Sequence, residues 1–537
     1  MSNQNLYLRQ NIQVEPLIDH WYAWPHLIPP ATAARNITER HMKIMTSYIN
    51  SPQVHVNAVK NPKMQGGPFI DLGGRVDEVR ALRDRIKAER PHLFELSAAI
   101  GELDNMLRTN AKGYSLHPLY AKVPDILRGY VELLYDLNHQ PSFRLIEPLL
   151  YKSRYYDPSM QSLMLSVIQQ DDRPFVLSTP RFEDDSSLHL QIPFNSPLVD
   201  ELFRLKSSPR PQEEIEEMFD LNEGQRELLR SFLTPEPAPH YASYEGGGVR
   251  WRYFGHACIL IESQGVSMLF DPVLSYTYES GISRYTYLDL PDSIDYVLIT
   301  HHHQDHVLFE TLLQIRHKVK TIVVPRSGGG QLQDPSLKLL LEQAGFTNVI
   351  EATEMEEIRT KDVRITAVPF FGEHADLDIR SKMAWLVKVG AHSMIFAADS
   401  CNIEPRLYEH IHREVGDADA LFLGMECDGA PLTWLYGPLI TARTERAMDE
   451  SRRLSGSNFE QGKSIVEVFN CKEVYVYAMG QEPWLNYITS IKYTAESRPI
   501  VESDKLVKWS HERGIIAERL FGEKEILIEQ APLVAAG

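Results

Sequence analysis

Cysteine is scarce in this chain. There are four in 537 residues, Cys258, Cys401, Cys427 and Cys471, and no two form a C-x-x-C pair. That excludes a disulfide scaffold and a zinc knuckle, and predicts reduced, buried thiols. Positive charge is also in short supply: the formal net charge is −18. A chain that binds nucleic acid chiefly through phosphates needs a basic surface, so nucleic acid is not the expected partner. No apolar run reaches the roughly 20 residues of a membrane span. The opening MSNQNLYLRQNIQVEP lacks the charged-then-apolar layout of a secretion signal. No membrane association is expected, and a cytoplasmic location is. There is no internal repeat, no low-complexity tract, and no flavin or nicotinamide fingerprint. What the chain does have is apolar content, 43% of residues, enough for large folded cores.

The two halves differ in texture. Up to about residue 233 the pattern reads as mainly helical. Val76, Val79, Leu82 and Ile86 recur at helical spacing, as do Leu93, Leu96, Ile100 and Leu103. Ile126 to Leu137 offers another apolar stripe. A strand pair is expected at 174–180 and 188–194, and a helical hairpin over 211–233 turning at Asn222 to Gly224. The stretch TPEPAPHYASYEGGG, 234–248, reads as a linker. Beyond it, short β-branched runs alternate with helical stretches: CILIE, SMLFDP, YVLIT, TIVVP, VRITAVPF, AWLVKV, MIFAAD, ALFLGME and VYVYAMG. We therefore divide the chain into 1–245, a mainly helical α+β domain, and 246–537, a layered α/β domain of sheets covered by helices.

Metal-capable side chains collect just past these buried strands. ITHHHQDH supplies His301, His303, Asp305 and His306 after YVLIT; Glu373 and His374 follow VRITAVPFFG; Asp399 closes MIFAAD; Glu426 closes ALFLGME. Strand ends along one sheet edge are where a rigid scaffold brings distant residues to a point. Side chains two apart on extended backbone project to one side, so His301 and His303 suit one metal, and Asp305 and His306 a second. Glu373 and His374 compete, because neighbours on extended backbone point oppositely. His256 reads as a packed turn residue, His302 as exposed or locally paired, and the glycines of PRSGGGQ, 325–331, as a flexible loop.

From the opening strands RYFGHACILIE and SMLFDPVLS through the histidine loop, the second half resembles the metallo-β-lactamase fold, an αββα sandwich. Its hydrolases bring histidines from the third and last strand ends. Here those positions hold Glu373, beside His374, and Glu426. This altered set, with the long N-terminal domain, is similar to the dinuclear iron β-hydroxylases of nonribosomal peptide biosynthesis, of the chloramphenicol-pathway type. The resemblance implies His301, His303 and Glu373 on one iron, Asp305, His306 and Glu426 on the other, and Asp399 bridging. It further implies that Asp271 and His374 support the ligands from behind, and that the chain forms a homodimer. Four carboxylates would neutralise two Fe(II) ions, and hard anionic oxygens favour the ferric state, which suits oxygen chemistry better than hydrolysis.

The expected activity is an O2-dependent diiron monooxygenase. It would β-hydroxylate an aminoacyl group, apolar in its side chain, tethered as a thioester to a carrier domain of a nonribosomal peptide synthetase. Its electrons would come from an external donor. The N-terminal domain would shape the substrate channel and dock the carrier. The competing expectation is a dinuclear zinc hydrolase that uses His374.

Overall fold

The computed structural model describes residues 4–239, 241–360 and 363–529. Two seven-stranded sheets dominate the second half. In the first, strands lie in the order 349–352, 319–325, 294–298, 266–270, 258–263, 249–255, 524–528. In the second the order is 357–359, 363–368, 384–389, 392–396, 420–424, 473–477, 516–519. The apolar runs of the sequence become these strands because both faces of each sheet are covered. Side chains alternate accordingly. Ile259 and Ile261 enter the core between the sheets, while Cys258 and Leu260 enter the core on the opposite face. In the second sheet Trp385 and Val387 face the inter-sheet core, and Ala384 and Leu386 face the outer helices. Stacked aromatics run through the inter-sheet core: Phe270 of the first sheet lies on Phe396 of the second at 4.0 Å between ring centroids, and Phe396 stacks on its neighbour Phe422 at 4.7 Å. All four cysteines are free and buried, as expected.

The first half matches its helical reading only in part. Helices Val76–Glu89 and Pro91–Asn110 form where the periodicity places them, and bury Val79, Leu82, Ile86, Leu93, Leu96, Ile100 and Leu103. The hairpin resolves into Gln212–Glu217 and Glu223–Ser231, the second opened by a capping box of Asn222 and Gln225. Two expectations fail. Residues 174–180 form no strand, and Ser187–Leu190 pairs instead with Gln161–Val167, which pairs in turn with the fully buried Ile12–Ile18. The stripe from Ile126 to Leu137 is not a helix: Val131–Tyr135 is a strand paired with Pro141–Leu145. Strand pairing decided both, with Gln161–Val167 in the first case and with the next strand of a hairpin in the second.

The halves share one hydrophobic core. The outer face of the first sheet (Leu260, Leu269, Val297) belongs to the same cluster as Ile12, Trp21, Leu27 and Leu96. A buried ionic knot reinforces the join. Arg173 lies 2.8 Å from both Glu15 and Glu310, and Arg181 is 2.9 Å from Glu15. The hydroxyls of Tyr22 and Tyr276 each donate to Glu310 at 2.7 Å. The glycine loop is likewise tied down. Gly330 O accepts from Leu145 N at 2.8 Å, and a Cβ on Gly330 would sit 2.0 Å from Leu145 O. That close approach is why glycine stands there.

Candidate metal centre

The predicted residues converge at one edge of the sandwich. Strands 266–270 and 294–298 run parallel, with Phe270 opposite Leu298, so Asp271 and the histidine loop emerge side by side. Asp271 then organises the loop. It accepts from Thr300 N at 2.7 Å and from Thr300 Oγ1 at 2.6 Å, and lies 2.8 Å from Nδ1 of His306. Strands 392–396 and 420–424 are also parallel, with Phe396 opposite Phe422, which carries Asp399 and Glu426 to the same edge. Met383 N donates to Thr300 O at 2.7 Å and Trp385 Nε1 to Ile299 O at 3.0 Å, joining the two sheets beside the loop.

Three groups of donor atoms result, each within a span of 4.8 Å: His301, His303, Glu373 and His374; His301, His306 and Asp399; His256, Asp305 and His306. Glu373 Oε1 is 2.8 Å from His303 Nδ1, and its Oε2 is 3.6 Å from His301 Nε2. Asp399 Oδ2 lies 3.1 Å from His306 Nε2 and 3.9 Å from His301 Nε2, between the groups. Glu426 belongs to none of the three, but lines the same 310 Å³ cavity as His303, Asp305, Glu373 and Asp399.

Some sequence readings need correction. Glu373 and His374 do not sit on extended backbone. Glu373 has φ +66°, in a turn with Ala375 and Asp376 also positive. Both side chains therefore reach the site, with His374 Nδ1 3.2 Å from Glu373 Oε2. His302 is buried rather than exposed, between the hydroxyls of Ser381 at 3.0 Å and Tyr436 at 3.4 Å. His256 is a turn residue, φ +52°, yet it also faces the site, its Nε2 3.3 Å from Asp305 Oδ2. The sequence carried little signal for this. It depends on where the turn before Cys258–Ser263 meets the histidine loop.

The site's electrostatics call for cations. His301 Nε2, Glu373 Oε2, Asp399 Oδ1 and Glu426 Oε2 are buried without a hydrogen-bond partner, an arrangement that costs folding energy unless something binds there. Among the described residues no lysine or arginine is ion-paired with these carboxylates. Burial, and then the charge of Asp399, pushes Glu373 well above the usual carboxylate range; burial pushes Glu426 up to about 8. Burial holds His301 well below the usual imidazole range and brings His303 to about 4, leaving both neutral and able to ligate. His306 is raised despite its burial, because Asp399 and Asp271 flank it. Neutral imidazoles and uncompensated carboxylates around one cavity fit a pair of divalent ions, and the mixture of oxygen and nitrogen donors suits iron.

Fold and site together define a metallo-β-lactamase-type sandwich with a carboxylate-rich dinuclear pocket and a large N-terminal domain fused to it. The comparisons agree. Residues 7–237 match the diiron non-heme β-hydroxylase N-terminal domain, and residues 267–432 match the β-lactamase superfamily domain. The chain is similar, at 42% identity over 96% of its length and 98% of the relative's, to a 4-amino-L-phenylalanyl-(CmlP-peptidyl-carrier-protein) 3-hydroxylase of Streptomyces venezuelae. The crystal structure of CmlA, a diiron β-hydroxylase from Streptomyces venezuelae, superposes with a TM-score of 0.92 at 40% identity, covering 98% of this chain and all of that one. A point variant of the CmlA β-hydroxylase gives 0.90 at 39% identity, over 97% of this chain and all of that one. This chain belongs to the CmlA-type diiron β-hydroxylase family.

Proposed function

We propose that this chain inserts one oxygen atom from O2 at the β-carbon of an aminoacyl group held as a thioester on the carrier domain of a nonribosomal peptide synthetase. The balance is R–H plus O2 plus two electrons plus two protons, giving R–OH and water. The electrons come from an external donor, since the chain has no flavin or nicotinamide fingerprint. The observation that carries the reading is the carboxylate pair Glu373 and Glu426, which reach the metal pocket from the third and last strand ends, where zinc hydrolases place imidazoles. The relative's carrier-bound substrate supports the form of the substrate.

In this reading His301, His303 and Glu373 would hold one iron, Asp305, His306 and Glu426 the second, and Asp399 would be shared by both. Bound there, the irons supply dioxygen activation and attack on an unactivated C–H bond. The chain's own residues do the rest. Asp271 fixes the ring of His306, and His256 stands against Asp305. Leu435, Leu454 and Ile491 line the cavity with apolar surface, which suits an apolar aminoacyl side chain and keeps water from the reacting carbon. We place the domain boundary at 245/246, assign the N-terminal domain to the substrate channel and carrier docking, and keep the homodimer as part of the reading. Four unpaired, buried cysteines suit the reducing cytoplasm. Among the described residues no helix is long and apolar enough to cross a membrane.

The test is metal analysis of protein purified without added metal, followed by turnover of an aminoacyl-loaded carrier with O2 and a chemical reductant. About two irons per chain and a product heavier by one oxygen are expected. Two zincs with hydrolysis in the absence of O2 overturn the reading. Equal turnover of the free amino acid removes the carrier alone.

A further inference from the structure

A second cavity, about 830 Å³, adjoins the metal pocket, and Gly66 and Trp434 belong to the walls of both. Trp434 Nε1 donates to Gly66 O at 2.9 Å across that shared wall. The larger cleft is chemically two-sided. Phe175, Leu177, Ile44 and Ile440 give it apolar walls, and its charged lining is four cations, Arg35, Arg40, Lys43 and Arg443, against one carboxylate, Glu39. In a chain of net charge −18 such a cluster is locally reversed. Glu39 is already engaged, 2.7 Å from Lys43 and 3.6 Å from Arg35. Among the described residues neither Arg40 nor Arg443 pairs with a carboxylate.

Arg40 is held in place rather than left loose. It donates through Nη2 to Trp434 O at 2.7 Å and Leu435 O at 2.8 Å, while Nη1 is buried without a partner. Burial with no counter-charge pulls its guanidinium down to about 10. Its position depends on a widened turn, Ile37–His41, where the run from Pro30 to Asn50 departs from α-helix into π-helix. Such turns cost stability and recur at functional sites.

We infer that this cleft binds the phosphopantetheine arm of the carrier, with Arg40, Lys43 and Arg443 receiving the phosphodiester and the apolar walls receiving the pantoyl methyls, so that the thioester end enters the metal pocket beside Trp434. The inference rests on the proposed carrier-bound substrate and deepens it. An arm that is anionic at one end and carries apolar methyls along its length matches a cleft with one cationic side and one apolar side. A planar guanidinium and a phosphate form paired, charge-assisted hydrogen bonds that survive partial burial.

The test is calorimetric titration of the iron-loaded protein with phosphopantetheine, pantetheine and inorganic phosphate. Phosphopantetheine is expected to bind about 10-fold or more tighter than pantetheine, the difference one charge-assisted contact makes. Inorganic phosphate alone should bind weakly. Arg443→Glu and Lys43→Glu, both on exposed side chains, should erase the preference for the phosphate, and should raise KM for the loaded carrier with kcat and iron content unchanged. Arg40→Gln should do the same, with melting temperature measured as its folding control. The inference is overturned if native protein does not distinguish phosphopantetheine from pantetheine, if the preference survives both charge reversals, or if inorganic phosphate binds as tightly as the arm. Failure of the oxygenase reading would show separately, as zinc content and O2-independent hydrolysis, whatever the cleft binds.

Discussion

The hydroxyl of Tyr436 lies 2.9 Å from Nε2 of His303, on the ring edge opposite the Nδ1 that faces Glu373 at 2.8 Å. With Nδ1 turned to the metal pocket, Nε2 carries the proton and donates to Tyr436. The tyrosine thus sets both tautomer and ring orientation. Tyr436→Phe removes that acceptor without changing the packing. Iron should be lost to a chelator about 10- to 100-fold more readily than from native protein, with the fold retained by circular dichroism. Unchanged iron retention would mean the contact is packing only.

Glu373 and His374 both reach the pocket, but differently. Glu373 spans His303 and His301, while His374 turns Nδ1 toward Gly372 O at 3.3 Å. Glu373→Ala should abolish binding of at least one iron. His374→Ala should keep both irons and lose less than about 10-fold in turnover, a supporting role. Metal stoichiometry of the two variants decides it, and the reverse order would favour the hydrolase.

The knot of Arg173, Glu15 and Glu310 is almost wholly buried and joins the two halves. Replacing Arg173 with Leu leaves Glu310 beside Glu15 without its cation, so the loss should be about 3–5 kcal/mol. A lowered denaturant midpoint is the measurement. Removing the ring under the guanidinium, Tyr487→Leu, should cost less, since the buried cation stays and the losses are the ring contact at 3.5 Å, a long hydroxyl contact to Glu310 and an edge contact with Tyr22.

Lys206 is buried among Gln10 O at 3.4 Å and the rings of Tyr276 and Tyr287, and burial brings it down to about 7. Its folded value therefore lies below its unfolded value. Above the unfolded value the amine is neutral in both states and the fold carries no burden. As pH falls toward 7 the unfolded chain takes up the proton first, and stability declines, by about 1.4 kcal/mol per pH unit at most. Below about 7 the loss is complete. Lys206→Met should be more stable than native protein at pH 6, with the gap narrowing as pH rises from 7 to 10. A constant gap across that window would refute the assignment.

Much of the catalytic half was legible in the linear sequence. Strands covered on both faces demand continuous apolar runs, and ITHHHQDH, Glu373, Asp399 and Glu426 each follow such a run directly. The same logic weakens in the first half. The apolar positions from Ile126 to Leu137 suit a helix or a strand, and only pairing with Pro141–Leu145 chose between them. The place of His256 was hidden because the strand before it, Val249–Gly255, is interrupted by Arg250 and Arg252 and so does not read as a continuous apolar run, and because it reaches the site through a left-handed turn.

By itself, then, the order of residues determined which side chains have metal chemistry and that they stand at strand tips, because periodicity and donor type are local properties. Only the folded chain decided how they group: that the turn at Glu373 delivers two neighbours instead of one, that His256 meets Asp305, and that a basic cleft opens beside Trp434. They range from the backbone of a single turn to the meeting of Arg40 and Trp434, 394 residues apart. They are set by packing of sheets and of the N-terminal domain, which no local pattern encodes.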